Sequence, residues 1–166
     1  TYNNYPQFTT APPLTFTQQD YRWWDNRNNI TPNVSLAAEN IAITGVTVGT
    51  VLRIRMNLQA GGANLAAGME SFKLQYATNV FGAWTDVGAT GSTEIWRGFD
   101  NGAPADGATL PSVLLTTSNV AESYEEQNPS VNNPNAFNIG QRGEWDWVIE
   151  HNGADGNTIY YFRMVK

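Results

Sequence analysis

Glu144 and Asp146 stand two positions apart, with Trp145 between them and Trp147 following. Residues at i and i+2 of a β-strand share a face, so the two carboxyls would lie about 7 Å apart. That separation suits glycoside hydrolysis, which uses paired carboxyls roughly 5–9.5 Å apart. A hydrolase also needs a cleft between them, and a regular strand supplies none, so Glu144 and Asp146 read as a solvated outer face. Glu125 and Glu126 form a second acidic pair with no better claim. The one histidine, His151, opens a turn after a strand and reads as a surface residue, with no Ser–His–Asp arrangement spaced around it. The absence of cysteine excludes disulfides, zinc-thiolate sites and thiol catalysis. No glycine-rich phosphate loop is present. The expectation is that the chain is not an enzyme and has no catalytic residues.

Binding chemistry has more candidates. Three loop stretches, DNRNN (25–29), DNGAPAD (100–106) and NGADGN (152–157), collect the oxygen ligands a hard cation takes, so calcium on these loops is a weak possibility. None matches the twelve-residue calcium loop of helix–loop–helix proteins, and such Asn/Asp clusters are also ordinary turn chemistry. No other cofactor or metal is expected. Trp23 and Trp24 are adjacent, and on a strand they point to opposite faces. One belongs to the core, and the other, flanked by Asp25, Asn26, Arg27 and Asn28, could cover an interface or stack on a glycan ring. Asn29-Ile-Thr31 and Asn33-Val-Ser35 match the glycosylation sequon. Arg53, Arg55 and Arg97 are expected to pair with Asp or Glu on outer sheet faces.

Composition sets the background. The 166 residues carry a net charge of -6 and only two lysines, Lys73 and Lys166, which argues against a nucleic-acid partner. No apolar run approaches the ~18 residues that mark a membrane-embedded helix. Nineteen asparagines, fifteen glycines and abundant threonine give a low-charge, β-leaning balance of the kind found in extracellular and cell-surface proteins of bacteria. The chain begins at Thr1 with no basic or apolar leader, so its native start is expected to have been removed or to lie elsewhere.

The elements that would position these residues are strands. Thr50–Gln59 alternates Leu52, Ile54, Met56 and Leu58 against Arg53, Arg55 and Asn57. Ser71–Thr78 places Phe72, Leu74 and Tyr76 inward, and Arg142–His151 places Trp145, Trp147 and Ile149 inward. Glu39–Gly45, Trp84–Val87 and Thr93–Phe99 are shorter candidates. Only Val34–Asn40 and Asn119–Gln127 could hold a helical turn. Residues 101–110 and 128–140 read as long surface loops. TIYYFRMVK puts Tyr160, Phe162 and Met164 on one face after the NGADGN turn. This order resembles the tyrosine corner of immunoglobulin-like and fibronectin-like sandwiches, with Tyr160 closing onto upstream backbone. The expected fold is an all-β sandwich of that kind, elaborated by long loops: one domain over 14–166, preceded by an arm over 1–13.

In such a sandwich the Thr-x-Tyr strand is followed by one more, and here Lys166 follows it directly. The expected consequence is an unpaired edge. TYNNYPQFTT is uncharged and β-prone, and Pro12-Pro13 gives it a stiff hinge. The expectation is therefore strand complementation. Tyr2, Asn4, Tyr5, Phe8, Thr9 and Thr10 of one copy would fill a groove formed by Tyr160, Phe162, Met164, Trp145 and Trp147 of the next. Repeated head to tail, such a contact does not close and builds a fibre. The expected partners are identical subunits or tandem neighbours, with glycans as the partners of an alternative adhesive module. Pro6 counts against a perfect ladder, since it has no N–H to donate.

The stretches FKLQYAT, GAWTDVG, EIWRGFDN, ESYEEQNPS, GEWDWVIEHNGA and YYFRMVK resemble an uncharacterised Trp-rich repeat domain of very large secreted or surface proteins of uncultured candidate-phyla bacteria. The resemblance covers nearly the whole chain. It implies that this segment is one repeat period in shifted phase, beginning with the last strand of the preceding unit, and it implies no catalytic residues.

Overall fold

The computed structural model describes residues 5–166. Eight strands follow one another: β1 (Thr15–Asp25), β2 (Val51–Gly61), β3 (Lys73–Ala77), β4 (Thr85–Asp86), β5 (Trp96–Gly98), β6 (Val120–Glu125), β7 (Arg142–His151) and β8 (Tyr161–Val165). No helix occurs among the described residues. The strands form two sheets, giving a sandwich-like all-β body. One sheet runs β1-β2-β7-β5, with β6 also on β7, and the other runs β4-β3-β8. All pairings are antiparallel except that of β6 with β7. β6 and β5 share one edge of β7: β6 takes its first half, and β5 takes Ile149–His151. The connection from β2 to β3 therefore crosses between sheets.

The core lies between the sheets. Leu52, Ile54, Met56 and Leu58 of β2, with Trp145, Trp147 and Ile149 of β7, face Phe72, Leu74, Tyr76 and Met164. Aromatic rings meet edge to face across the gap: Phe72 lies 4.9 Å from Phe16 and 4.8 Å from Trp145, and Trp96 lies 5.2 Å from Phe162. Each buried side chain of this size contributes about 1.5–3 kcal/mol by leaving water, so these faces dominate the driving force for folding. The Tyr160 hydroxyl oxygen accepts a hydrogen bond from the Asp155 N–H at 2.9 Å, closing onto upstream backbone.

Two expectations for local structure fail for identifiable reasons. Residues 39–45 form no strand: Asn40 (φ 62°) and Gly45 (φ 73°) sit in the left-handed region and isolate the four residues between them. Residues 120–125 are a strand and hold no helical turn. Its register slips between Ala121 and Tyr124, so Glu122 and Ser123 are both buried and the period-two pattern is lost. Residues 101–110 and 128–140 are loops at the surface as expected, but they are anchored to the body. Asn101, Leu110, Ser130, Asn133 and Phe137 are all buried. The segment 128–133 extends the β3 edge beyond β4, with Ser130 N–H donating to Phe72 C=O at 2.8 Å.

Candidate functional site

The register gives the body two poles. β1 begins, β2 ends, β7 begins and β8 ends at the near pole, while Asp25, Val51, His151 and Tyr161 mark the far pole. The arm leaves from the near pole. Its root is fixed because Pro13 packs on Gly62: a Cβ there would come within 1.9 Å of the Pro13 carbonyl oxygen, and φ is +73°. Beyond the root, residues 5–13 belong to no strand and are exposed. Tyr5 is 74% exposed and Phe8 is 90% exposed. Thr9 and Thr10 are likewise exposed, and Tyr2 and Asn4 lie outside the described residues.

Among the described residues β8 pairs with β3 on one side and with no strand on the other. A cleft of about 350 Å³ opens between the sheets here, lined by Leu14, Phe16, Leu58, Met164 and Val165. The Met164 N–H is already used, donating to Gln18 Oε1 at 2.9 Å. The expected acceptor set needs correction. Trp145 and Trp147 are fully buried at the centre of the core, where their inward-facing strand positions place them, and they do not line this cleft. Tyr160 and Phe162 are half-buried, and Met164 is buried.

A second groove, of about 550 Å³, lies at the far pole. Leu36, Ala37, Ala38, Ile41, Ala42, Ile43, Val46 and Leu52 supply most of its lining. It arises because residues 34–40 turn back along the free edge of β1, with Leu36 N–H donating to Trp23 C=O at 3.0 Å. The chain then crosses to the start of β2. In that crossing the main chain of residues 42–46 makes no hydrogen bond to any described residue. The sequence signal for this groove was the apolar alternation of Ile41 and Ile43, read as an ordinary strand.

Glu144 and Asp146 are not solvated. They lie on the sheet face away from the aromatic core, where the loops at 26–31 and 112–118 close over them. Asp146 pairs with both Arg53 and Arg55, the latter at 2.7 Å, and Arg55 reaches Glu144 at 2.8 Å; all four side chains are fully buried. The guanidinium groups also bind the covering loops. Arg53 donates to the carbonyls of Asn29 and Ile30, and Arg55 donates to that of Ser112 at 3.1 Å. Glu144 accepts from the N–H groups of Leu114 and Leu115 at 2.9 Å each. Arginine and carboxylate thus meet as expected, but as a dry layer holding loops to the sheet. Arg97 pairs with Glu150 at 2.7 Å near the surface.

Trp23 and Trp24 are each 7% exposed, so neither ring offers the open face a sugar would stack on. Trp23 packs on Phe162 at 5.6 Å, and Arg22 lies over Trp24 at 4.7 Å. His151 is buried too, edge-on to Trp96 at 4.9 Å. The loop acids proposed for calcium serve the loops themselves. Asp25 pairs with Arg27, Asp100 accepts from the Gly102 N–H, and Asp106 accepts from the N–H groups of Glu126 and Gln127. Among the described residues no three acidic or histidine side chains converge as a metal centre.

β6 carries Glu125, already named in an acidic pair, and Glu122, which sequence reasoning missed. Burial pushes the Glu122 carboxyl up to about 8 against one opposing hydrogen bond from the Asn135 N–H. Burial likewise pushes Glu125 up to about 8, opposed by hydrogen bonds from Ser123 and the Val131 N–H. Comparison with protein-family models, curated proteins and solved structures finds no match to this chain.

Proposed function

We propose that this chain is a structural subunit or repeat of an extracellular filament or surface fibre, joined to its neighbour through residues 1–10. The observation that carries this reading is the arm. An uncharged segment with two described aromatic side chains stands off a well-packed body whose sheet edges, among the described residues, leave main-chain groups unpaired. A free edge is a template for another strand, and an exposed Phe is stabilised by finding an apolar seat. Burying Phe8 alone contributes about 1.5–3 kcal/mol per junction, and main-chain pairing adds direction. The extracellular setting rests on the low-lysine, Asn/Thr/Gly-rich composition and on the resemblance to surface repeat domains. Static light scattering across a concentration series tests the reading. Mass that grows with concentration for the full chain, and stays at one subunit for the doubly substituted Tyr5→Ser/Phe8→Ser chain, supports it. A full chain that remains monomeric at millimolar concentration overturns it.

A further inference from the structure

We infer that the far-pole groove formed by residues 36–46 and Leu52 is the seat for Tyr5 and Phe8 of a second copy. This inference rests on the arm-linked assembly proposed above and names its acceptor.

Length supplies the first argument. Pro13 is held against Gly62, just beyond the end of β2, whereas Leu52 is the second of its eleven residues. Ten residue steps separate Leu52 from Gly62, roughly 33 Å. Five steps carry the chain from Pro13 to Phe8, at most ~17 Å, and eight carry it to Tyr5, at most ~26 Å. The main chain at Tyr5 and Phe8 thus falls short of Leu52 of its own body, and in the single copy both side chains stay exposed, Tyr5 at 74% and Phe8 at 90%. The occupant we place in the groove is therefore the arm of another copy.

Topology supplies the second. The cleft beside β8 opens at the arm's own root, where two copies that meet can exchange arms and close as a dimer. A seat at the opposite pole leaves each added copy with one free arm and one free groove, so growth continues.

Chemistry agrees. The arm carries no charged residue before Asp20, and the groove lining contains none. Its ~550 Å³ falls within the 300–1,000 Å³ range of ligand pockets and accommodates two aromatic side chains. Residues 41–44 lie between two left-handed residues and belong to no strand, and the main chain of residues 42–44 is left for an incoming strand. Two aromatics bury roughly 150–250 Å² each, well short of the ~800 Å² per partner of a standard interface. Assembly through this seat is therefore concentration-dependent.

The absence of cysteine makes a direct test practical. Phe8→Cys chains are mixed under oxidising conditions with Ala42→Cys chains, or with Val165→Cys chains that report on the β8 cleft. Each mixture is read as covalent heterodimer on a non-reducing gel. A heterodimer with Ala42→Cys at least tenfold above that with Val165→Cys is expected, and a doubly substituted Phe8→Cys/Ala42→Cys chain should give a ladder of covalent multimers. Preferential capture by Val165→Cys would overturn this seat while leaving arm-linked assembly standing. Capture by neither, with a full chain that stays monomeric, would overturn both.

Discussion

Replacing Asp146 by Asn tests whether the polar face of the large sheet is a dry ionic layer. Asp146 sits between Arg53 and Arg55, and it accepts from Arg53 Nε at 3.2 Å and from Arg55 Nε at 2.7 Å. All three side chains are fully buried. An amide keeps the shape but removes the charge, leaving two guanidinium groups to share Glu144. Breaking a buried pair in this way costs about 3–5 kcal/mol, because the surviving charge remains out of water. Domains have only ~5–15 kcal/mol of stability to lose. For a chain of this length each kcal/mol moves Tm by about 2–4 °C, so D146N should melt roughly 6–20 °C below the parent. Urea unfolding followed by tryptophan fluorescence gives the free energy directly. A loss below ~1 kcal/mol is the range of exposed ion pairs, and it would refute the claim that the loops at 26–31 and 112–118 exclude water from this layer.

Three further outcomes follow from the same structure. Glu125 has its pKa raised from 4.5 to about 8, so the folded state holds a proton that the unfolded state releases. The fold should accordingly lose stability as pH rises from 4.5 to 8, by up to roughly 5 kcal/mol at 1.36 kcal/mol per pH unit. Glu122 is raised likewise and adds to the same window, so Glu125→Gln should remove about half of the total dependence, as measured by Tm against pH; an unchanged slope would show that Glu125 is not responsible. Gly98→Ala would place a Cβ 1.9 Å from the Glu126 carbonyl oxygen. Main chain cannot yield as a side-chain tip can, so a loss of about 3 kcal/mol in urea unfolding is expected. Phe8→Ala should leave Tm unchanged, because Phe8 is 90% exposed in the free body. It should raise the concentration needed for assembly about 10–100-fold, the equivalent of 1.5–3 kcal/mol.

The long strands were legible because each obeys one rule over many residues. Alternation placed Leu52 through Leu58 and Trp145 through Ile149 inward, and both strands pair as neighbours in the large sheet. The error at Arg53, Arg55, Glu144 and Asp146 came from the same alternation. A period of two separates faces but does not reveal that loops distant in sequence bury the polar one. β6 was hidden by its bulge, which breaks the period at Glu122 and Ser123. The 41–44 segment shows the opposite failure. Its Ile41 and Ile43 alternate correctly, but Asn40 and Gly45 adopt positive φ and remove it from the ladder. The adjacent Trp23 and Trp24 were assigned to opposite faces, as observed. That Trp24 is covered depends on Arg22, held over its ring by Ser35 and Ala37, a contact no local pattern encodes.

Electron microscopy of the full chain beside a chain lacking residues 1–10 tests arm-linked assembly most directly. Regular filaments from the full chain, and folded single particles with the same melting temperature from the truncated one, are the predicted result. Filaments that persist without the arm, or monodisperse particles in both samples, would contradict it.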